Sequence, residues 1–176
     1  TPESAPKLPR SPYGVTKLTG ELYLHYYRQV RGLEYVALRY SNVYGPRQDP
    51  HGEAGVVAIF SKRLLEDEPL TIFGDGEQTR DYVFVRDVVS ANLLASDLVQ
   101  EEGEGLDAFA FNVGTGVGTS VNRLAGILEG VAGCRPGREY RGERPGELRH
   151  STLETSRLQA QGWAPRFSLE EGLRET

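Results

Sequence analysis

Residues 11–40, SPYGVTKLTGELYLHYYRQVRGLEYVALRY, place a helix signal directly before a strand signal. Ser11 suits an N-cap, Pro12 suits a first helical turn, and Gly32 is a natural stop after Arg31. Between them Leu18, Leu22 and Tyr26 form an apolar stripe beside Tyr13 and Lys17. Leu33 to Tyr40 then reads as a strand.

The same alternation continues outward. Residues 1–12 are extended and Pro-rich, and residues 41–54 form a loop rich in Gly, Pro, Asn and Asp. Val56 to Leu65 suits a helix, Leu70 to Phe73 a short strand, and Gly74-Asp75-Gly76 a turn. Tyr82 to Val85 reads as a strand, Asp87 to Leu98 as a helix, and Phe109 to Val113 as a strand. Thr119 or Ser120 caps a helix that runs to about Ala132 and stops at Gly133. Residues 133–150 read as irregular and Arg-rich, followed by short helices at Thr155 to Ala160 and from Leu169. Alternating strands and helices give the α/β class.

Tyr13 and Lys17 are four residues apart, so a helix puts both side chains on one face. A free phenol ionises near pH ~10, and a fixed ammonium beside it favours the phenolate, the form that acts as a base. A simple surface contact on an amphipathic helix fits the same spacing. Gly114-Thr115-Gly116-Val117-Gly118 has the spacing G-x-G-x-G rather than G-x-G-x-x-G. It reads as a strand-to-helix turn, which leaves no dinucleotide fingerprint within the sequence. His25, His51 and His150 lack metal-ligand spacing, so no metal site is expected.

Composition narrows the class. Charged residues at 26% and hydrophobic residues at 38% describe an ordinary globular protein. A net charge of -5 without a Lys/Arg run argues against nucleic-acid binding. No apolar run approaches membrane-spanning length, and the opening residues show no leader pattern. Cys134 is the single cysteine, which suits a reducing compartment such as the cytoplasm. The sequence has no methionine, even at position 1, and stops inside a helical pattern. Both suggest a piece of a longer protein.

Six segments together resemble the extended short-chain dehydrogenase/reductases of the NAD-dependent epimerase/dehydratase family. They are SPYGVTKLTGE (11–21), LRYSNVYGPRQDP (38–50), LTIFGDGEQTRDYVFVRDV (70–88), FNVGTG (111–116), RPGELRHS (144–151) and LETSRLQAQGWAP (153–165). The resemblance implies an NAD-binding Rossmann fold, of which residues 1–54 are the C-terminal portion. It also implies a smaller sugar-nucleotide domain across 55–176, with 83–115 returning to the Rossmann sheet. The implied activity is interconversion of UDP-hexoses at C4 through a transient 4-keto sugar, with NAD as cofactor and a homodimer as the complete enzyme.

By resemblance Tyr13 is the base, and Lys17 favours its phenolate and reaches the nicotinamide ribose. Tyr40 lies beside the nicotinamide, and Asn42 contacts the diphosphate or sugar. Arg80 and Arg144 clamp the phosphates, as planar, always-charged donors suit that task. Glu147 binds the nucleotide ribose, while Leu70, Thr71 and Phe73 line the uracil. Val56 and Val57 open a helix whose N–H groups receive phosphate. Ser151 stands where the family gates room around the sugar's 2-position, and a serine there leaves space for an N-acetyl group. Arg80 beside Asp81 also suits a structural ion pair, and a surface role leads for Arg47, Arg86, Arg138, Arg141 and Arg149. The Gly-rich phosphate loop and the catalytic Ser/Thr are expected upstream of Thr1, so the chain alone is expected to be inactive. The family's 4,6-dehydratases and decarboxylases, and a non-catalytic nucleotide-sugar-binding fragment, stay open as alternatives.

Overall fold

A computed structural model describes residues 1–51, 55–98 and 103–176. Six α-helices and eight strands follow one another: α1 (Pro12–Arg31), β1 (Ala37–Tyr40), β2 (Asn42–Tyr44), α2 (Val56–Leu65), β3 (Leu70–Phe73), β4 (Thr79–Phe84), α3 (Val85–Asp97), β5 (Ala110–Val113), β6 (Gly118–Ser120), α4 (Val121–Ala132), β7 (Arg138–Arg141), β8 (His150–Ser151), α5 (Ser156–Ala160) and α6 (Leu169–Arg174). The fold is mixed α/β with mostly parallel pairing.

The helix ends follow local chemistry. The Ser11 side chain accepts from the Gly14 N–H, and Gly32 closes α1 in the left-handed conformation at φ 68°. Ser120 caps α4 in the same way through the Arg123 N–H, and Ser168 and Glu171 form a capping box on α6.

β4 is the organising strand. β2 lies parallel to its C-terminal half, pairing Asn42 with Tyr82 and Tyr44 with Phe84. β6 lies antiparallel to its N-terminal half, and β8 adds in parallel there, with Arg80 opposite Ser151. β1 pairs in parallel with β5, and β3 with β7. Side chains alternate across β4. Tyr82 and Phe84 enter a core with Phe60, Leu64, Ile72, Leu124 and Leu128. Val83 enters a second core with Val88, Phe111, Val113, Leu158 and Trp163. The C-terminal segment is tied to α3 by the buried Asp87 carboxylate, which accepts from the Arg166 and Phe167 N–H groups.

Some expectations shift. β1 begins at Ala37 rather than Leu33, and β4 begins at Thr79 rather than Tyr82. β2 occupies part of the expected loop, and β7 and β8 occupy part of the expected irregular stretch. The 114–118 segment leads into β6 before α4 starts, so it is a strand-to-strand turn. Its N–H groups are already used: Thr115 and Gly116 donate to the buried Asp81 carboxylate. Among the described residues no helix is long and apolar enough to cross a membrane.

Candidate functional site

A cleft of about 520 Å³ opens between α2, β3, β4 and the segment after β7. Asn42, Val56, Thr71, Phe73, Arg80, Arg144 and Glu147, seven positions singled out from the sequence, all line it. Secondary structure explains how distant residues converge. β4 delivers Arg80, β3 delivers Thr71 and Phe73, and the start of α2 delivers Val56. Gly55 precedes α2 in an extended conformation, and among the described residues no side chain caps that helix. Its first-turn N–H groups and the positive end of its dipole therefore face the cleft.

The cleft walls are cationic. Arg80 is mostly buried and donates to the Thr79 carbonyl at 2.8 Å and to Glu147 Oε1 at 2.9 Å. Its ion-pair partner is thus Glu147, and not the neighbouring Asp81, which is spent on the 115–116 turn. The Arg144 guanidinium stacks on Phe73, 3.9 Å from the ring centroid. Such stacking holds the planar fork in place while leaving its edge donors available for an oxyanion. Arg63 and Arg141 also line the cleft, each with a carboxylate partner outside it, Glu68 at 3.8 Å and Glu139 at 3.4 Å. Arg141 keeps the exposed position expected of it, at the rim, whereas Arg138 departs from its expected surface role by donating to the buried Glu129 carboxylate.

Other residues sit elsewhere. Val57 and Leu70 are buried in the core beneath the cleft. Ser151 pairs in register with Arg80 from the adjoining strand. Tyr40 is exposed, donates to Asn92 Oδ1 at 3.0 Å, and lines a separate hollow of about 530 Å³ with Arg28, Tyr35 and Leu38. Tyr13 and Lys17 stand on α1, a helix with no buried residue. Tyr13 is 61% exposed, and Lys17 Nζ lies 5.1 Å from the centroid of its ring. α1 is held to the body by Glu21, which accepts from Arg39 on β1 at 2.6 Å. Among the described residues the Tyr13 hydroxyl and the Lys17 ammonium make no hydrogen bond or ion pair.

Sequence reading missed Gln78, Tyr82 and Arg63 as cleft residues. The signal for two of them existed. Gln78, Arg80 and Tyr82 alternate, so any strand through Arg80 puts the other two on its face.

A model of the NAD dependent epimerase/dehydratase family matches residues 1–114. The chain belongs to this family. It is 46% identical to the UDP-glucose 4-epimerase of Mycolicibacterium smegmatis, over 100% of this chain and 55% of that protein. It is 44% identical to a putative UDP-glucose 4-epimerase of Methanocaldococcus jannaschii, over 98% of this chain and 54% of that protein. The crystal structure of UDP-glucose 4-epimerase from Thermotoga maritima with UDP-glucose superposes at a TM-score of 0.92 with 49% identity, covering 100% of this chain and 55% of that one. The Thermus thermophilus UDP-glucose 4-epimerase in complex with NAD superposes at 0.86 with 44% identity, covering 96% and 53%. The chain spans about half the length of the curated relatives it matches.

Proposed function

We propose that this chain serves an NAD-dependent epimerase that interconverts UDP-hexoses at C4, and that the cleft beneath Arg80 and Arg144 binds the UDP part. One observation carries the reading: seven residues from separate segments, each with a nucleotide-sugar role by resemblance, line a single cleft. Its charge suits a diphosphate, because two guanidinium forks and an uncapped helix start converge on it. Glu147, an acceptor, suits a ribose hydroxyl while it holds Arg80.

The residues present also suit NAD. Tyr13 and Lys17 offer an unpaired hydroxyl and an unpaired ammonium on one exposed face, the pattern a ribose diol and a sugar alcohol require. When bound, NAD supplies the acceptor and donor of hydride at the sugar's C4. Tyr13 takes the proton of the C4 hydroxyl as the C4–H bond breaks, leaving a ketone. Lys17 stands one helical turn away, its ammonium 5.1 Å from the centroid of the Tyr13 ring. The proton returns from Tyr13 when the C4–H bond re-forms on the opposite face of the turned sugar. The Arg80 and Arg144 grip keeps the diphosphate anchored through that rotation.

The division into a Rossmann portion at 1–54 and a sugar-nucleotide portion across 55–176, with 83–115 returning to the first, belongs to the same reading. The parallel pairing of β1 with β5 supports it. A homodimer, a reducing cytoplasmic setting for the free thiol of Cys134, and room at Ser151 for an N-acetyl group belong to this proposal as well. The test of the last point is turnover of UDP-N-acetylglucosamine by the intact enzyme. Wild type is expected to convert it and Ser151→Tyr to fail, and no turnover by either refutes the assignment. The test of the reading as a whole is UDP binding to the chain, weakened at least tenfold by Arg144→Ala.

A further inference from the structure

Buried polar atoms without a partner are uncommon, because each forfeits the hydrogen bond that water gave it. Three of those among the described residues belong to residues that line the same cleft: Thr71 Oγ1, Gln78 Oε1 and Tyr82 Oη. Gln78 and Tyr82 are 7% and 4% exposed, so bulk water does not serve them. Tyr82 follows Arg80 by two residues on β4, a spacing of roughly 7 Å on one strand face, and Gln78 precedes Arg80 by two residues, just ahead of the strand.

The two ends of this row differ. Gln78 donates its Nε2 to the Phe73 carbonyl at 2.9 Å and so sits against the strand assigned to the base, leaving its oxygen as a bare acceptor. Tyr82 pairs in register with Asn42 on the far side of Arg80. A nucleoside diphosphate sugar presents the matching order: N–H and O–H donors on the nucleoside, acceptors only on the diphosphate, then oxygens of the glycosyl end.

Resting on the UDP-sugar reading above, we infer that Gln78 and Tyr82 contact the ligand on either side of Arg80. Gln78 Oε1 accepts from an N–H or O–H of the nucleoside. The Tyr82 hydroxyl donates to an oxygen of the glycosyl end. Gln78 cannot serve a phosphate, since an oxyanion brings no proton to share. Tyr82 can serve as a donor because burial pushes its hydroxyl up to about 12, so it stays neutral and protonated. The strand face thereby reads the length and order of the ligand as well as its charge.

The test is calorimetric titration of the chain with UMP, UDP and UDP-glucose, for wild type, Tyr82→Phe and Gln78→Met. Tyr82→Phe is expected to weaken UDP-glucose about tenfold, the loss of one hydrogen bond, and to leave UMP unchanged. Gln78→Met is expected to weaken all three ligands by one common factor, since the nucleoside is shared. An unchanged UDP-glucose affinity in Tyr82→Phe, or an equal loss for UMP, overturns the inference. So does a Gln78→Met protein that binds UMP like wild type. Tyr82→Phe keeps the shape of the side chain and decides alone if Gln78→Met fails to fold. A folded wild-type chain that binds none of the three overturns the nucleotide reading itself, a result separate from any of these.

Discussion

The cleft and the α1 face carry the two halves of the proposed chemistry, and they are built in opposite ways. The cleft is walled by four strands and a helix start that the chain itself packs together, over a core of Phe60, Ile72 and Leu124. The α1 face has no buried residue, and Leu22, Tyr23 and Tyr26 are each at least half exposed there. Recognition is thus written into packing within this chain. The proposed catalytic pair stands on an exposed helix tied to the body through its other face, by the Glu21–Arg39 ion pair and by Arg28 stacked on Phe109. The difference predicts that binding and turnover separate under mutation.

The largest effect is expected at Tyr13. In the intact enzyme Tyr13→Phe should lower turnover by about 10²–10⁴-fold, the usual worth of a positioned general base. UDP affinity, which belongs to the cleft, should stay at the wild-type value. Equal losses in both would erase the separation. The next effect contrasts the same substitution in the two regions. Leu124→Ala in the cleft's core should cost about 2–5 kcal/mol in chemical denaturation. Leu22→Ala on α1 should cost less than about 0.5 kcal/mol. Similar costs would mean that α1 is better packed than its exposure indicates.

Arg144→Ala sharpens the comparison from the cleft side. Loss of a charge-assisted contact should weaken UDP about 10- to 100-fold, measured by titration, with the fold retained. The smallest effect is expected at Asp75, whose carboxyl the Arg149 guanidinium holds down at about 2 through two hydrogen bonds. A lowered carboxyl stabilises the fold above its ordinary range and loses that contribution as pH falls toward 2. Asp75→Asn should therefore differ slightly from wild type at pH 7, and thermal scans should show the difference vanish by about pH 2. The pair is exposed and screened by solvent, so the change should be small throughout.

Legibility in the sequence followed the same physical divide. α1 and α4 were readable because Ser11, Gly32, Ser120 and Gly133 announce their ends through local hydrogen bonds. β7 was not, because Arg138-Glu139-Tyr140-Arg141 has no apolar face and is a strand only through its pairing with β3. β2 hid in a Gly- and Pro-rich stretch for the same reason, being ordered by β4 rather than by its own residues. In the site, Arg80 and Arg144 were readable by their motif context. The partner of Arg80 was not, since Glu147 reaches it from 67 residues away while the adjacent Asp81 turns to the Thr115 backbone. Arg138 looked like surface because nothing local reveals that the buried Glu129 on α4 takes its guanidinium.

On the proposed function, the guanidinium-lined cleft binds a nucleoside diphosphate through residues of this chain. Calorimetry of the folded 176-residue chain with UDP tests it most directly, with NAD⁺ titrated in parallel. Saturable UDP binding is expected, weakened at least tenfold by Arg144→Ala, with weak or no heat from NAD⁺. A folded chain that gives no UDP binding, or binds UDP equally well without Arg144, contradicts it.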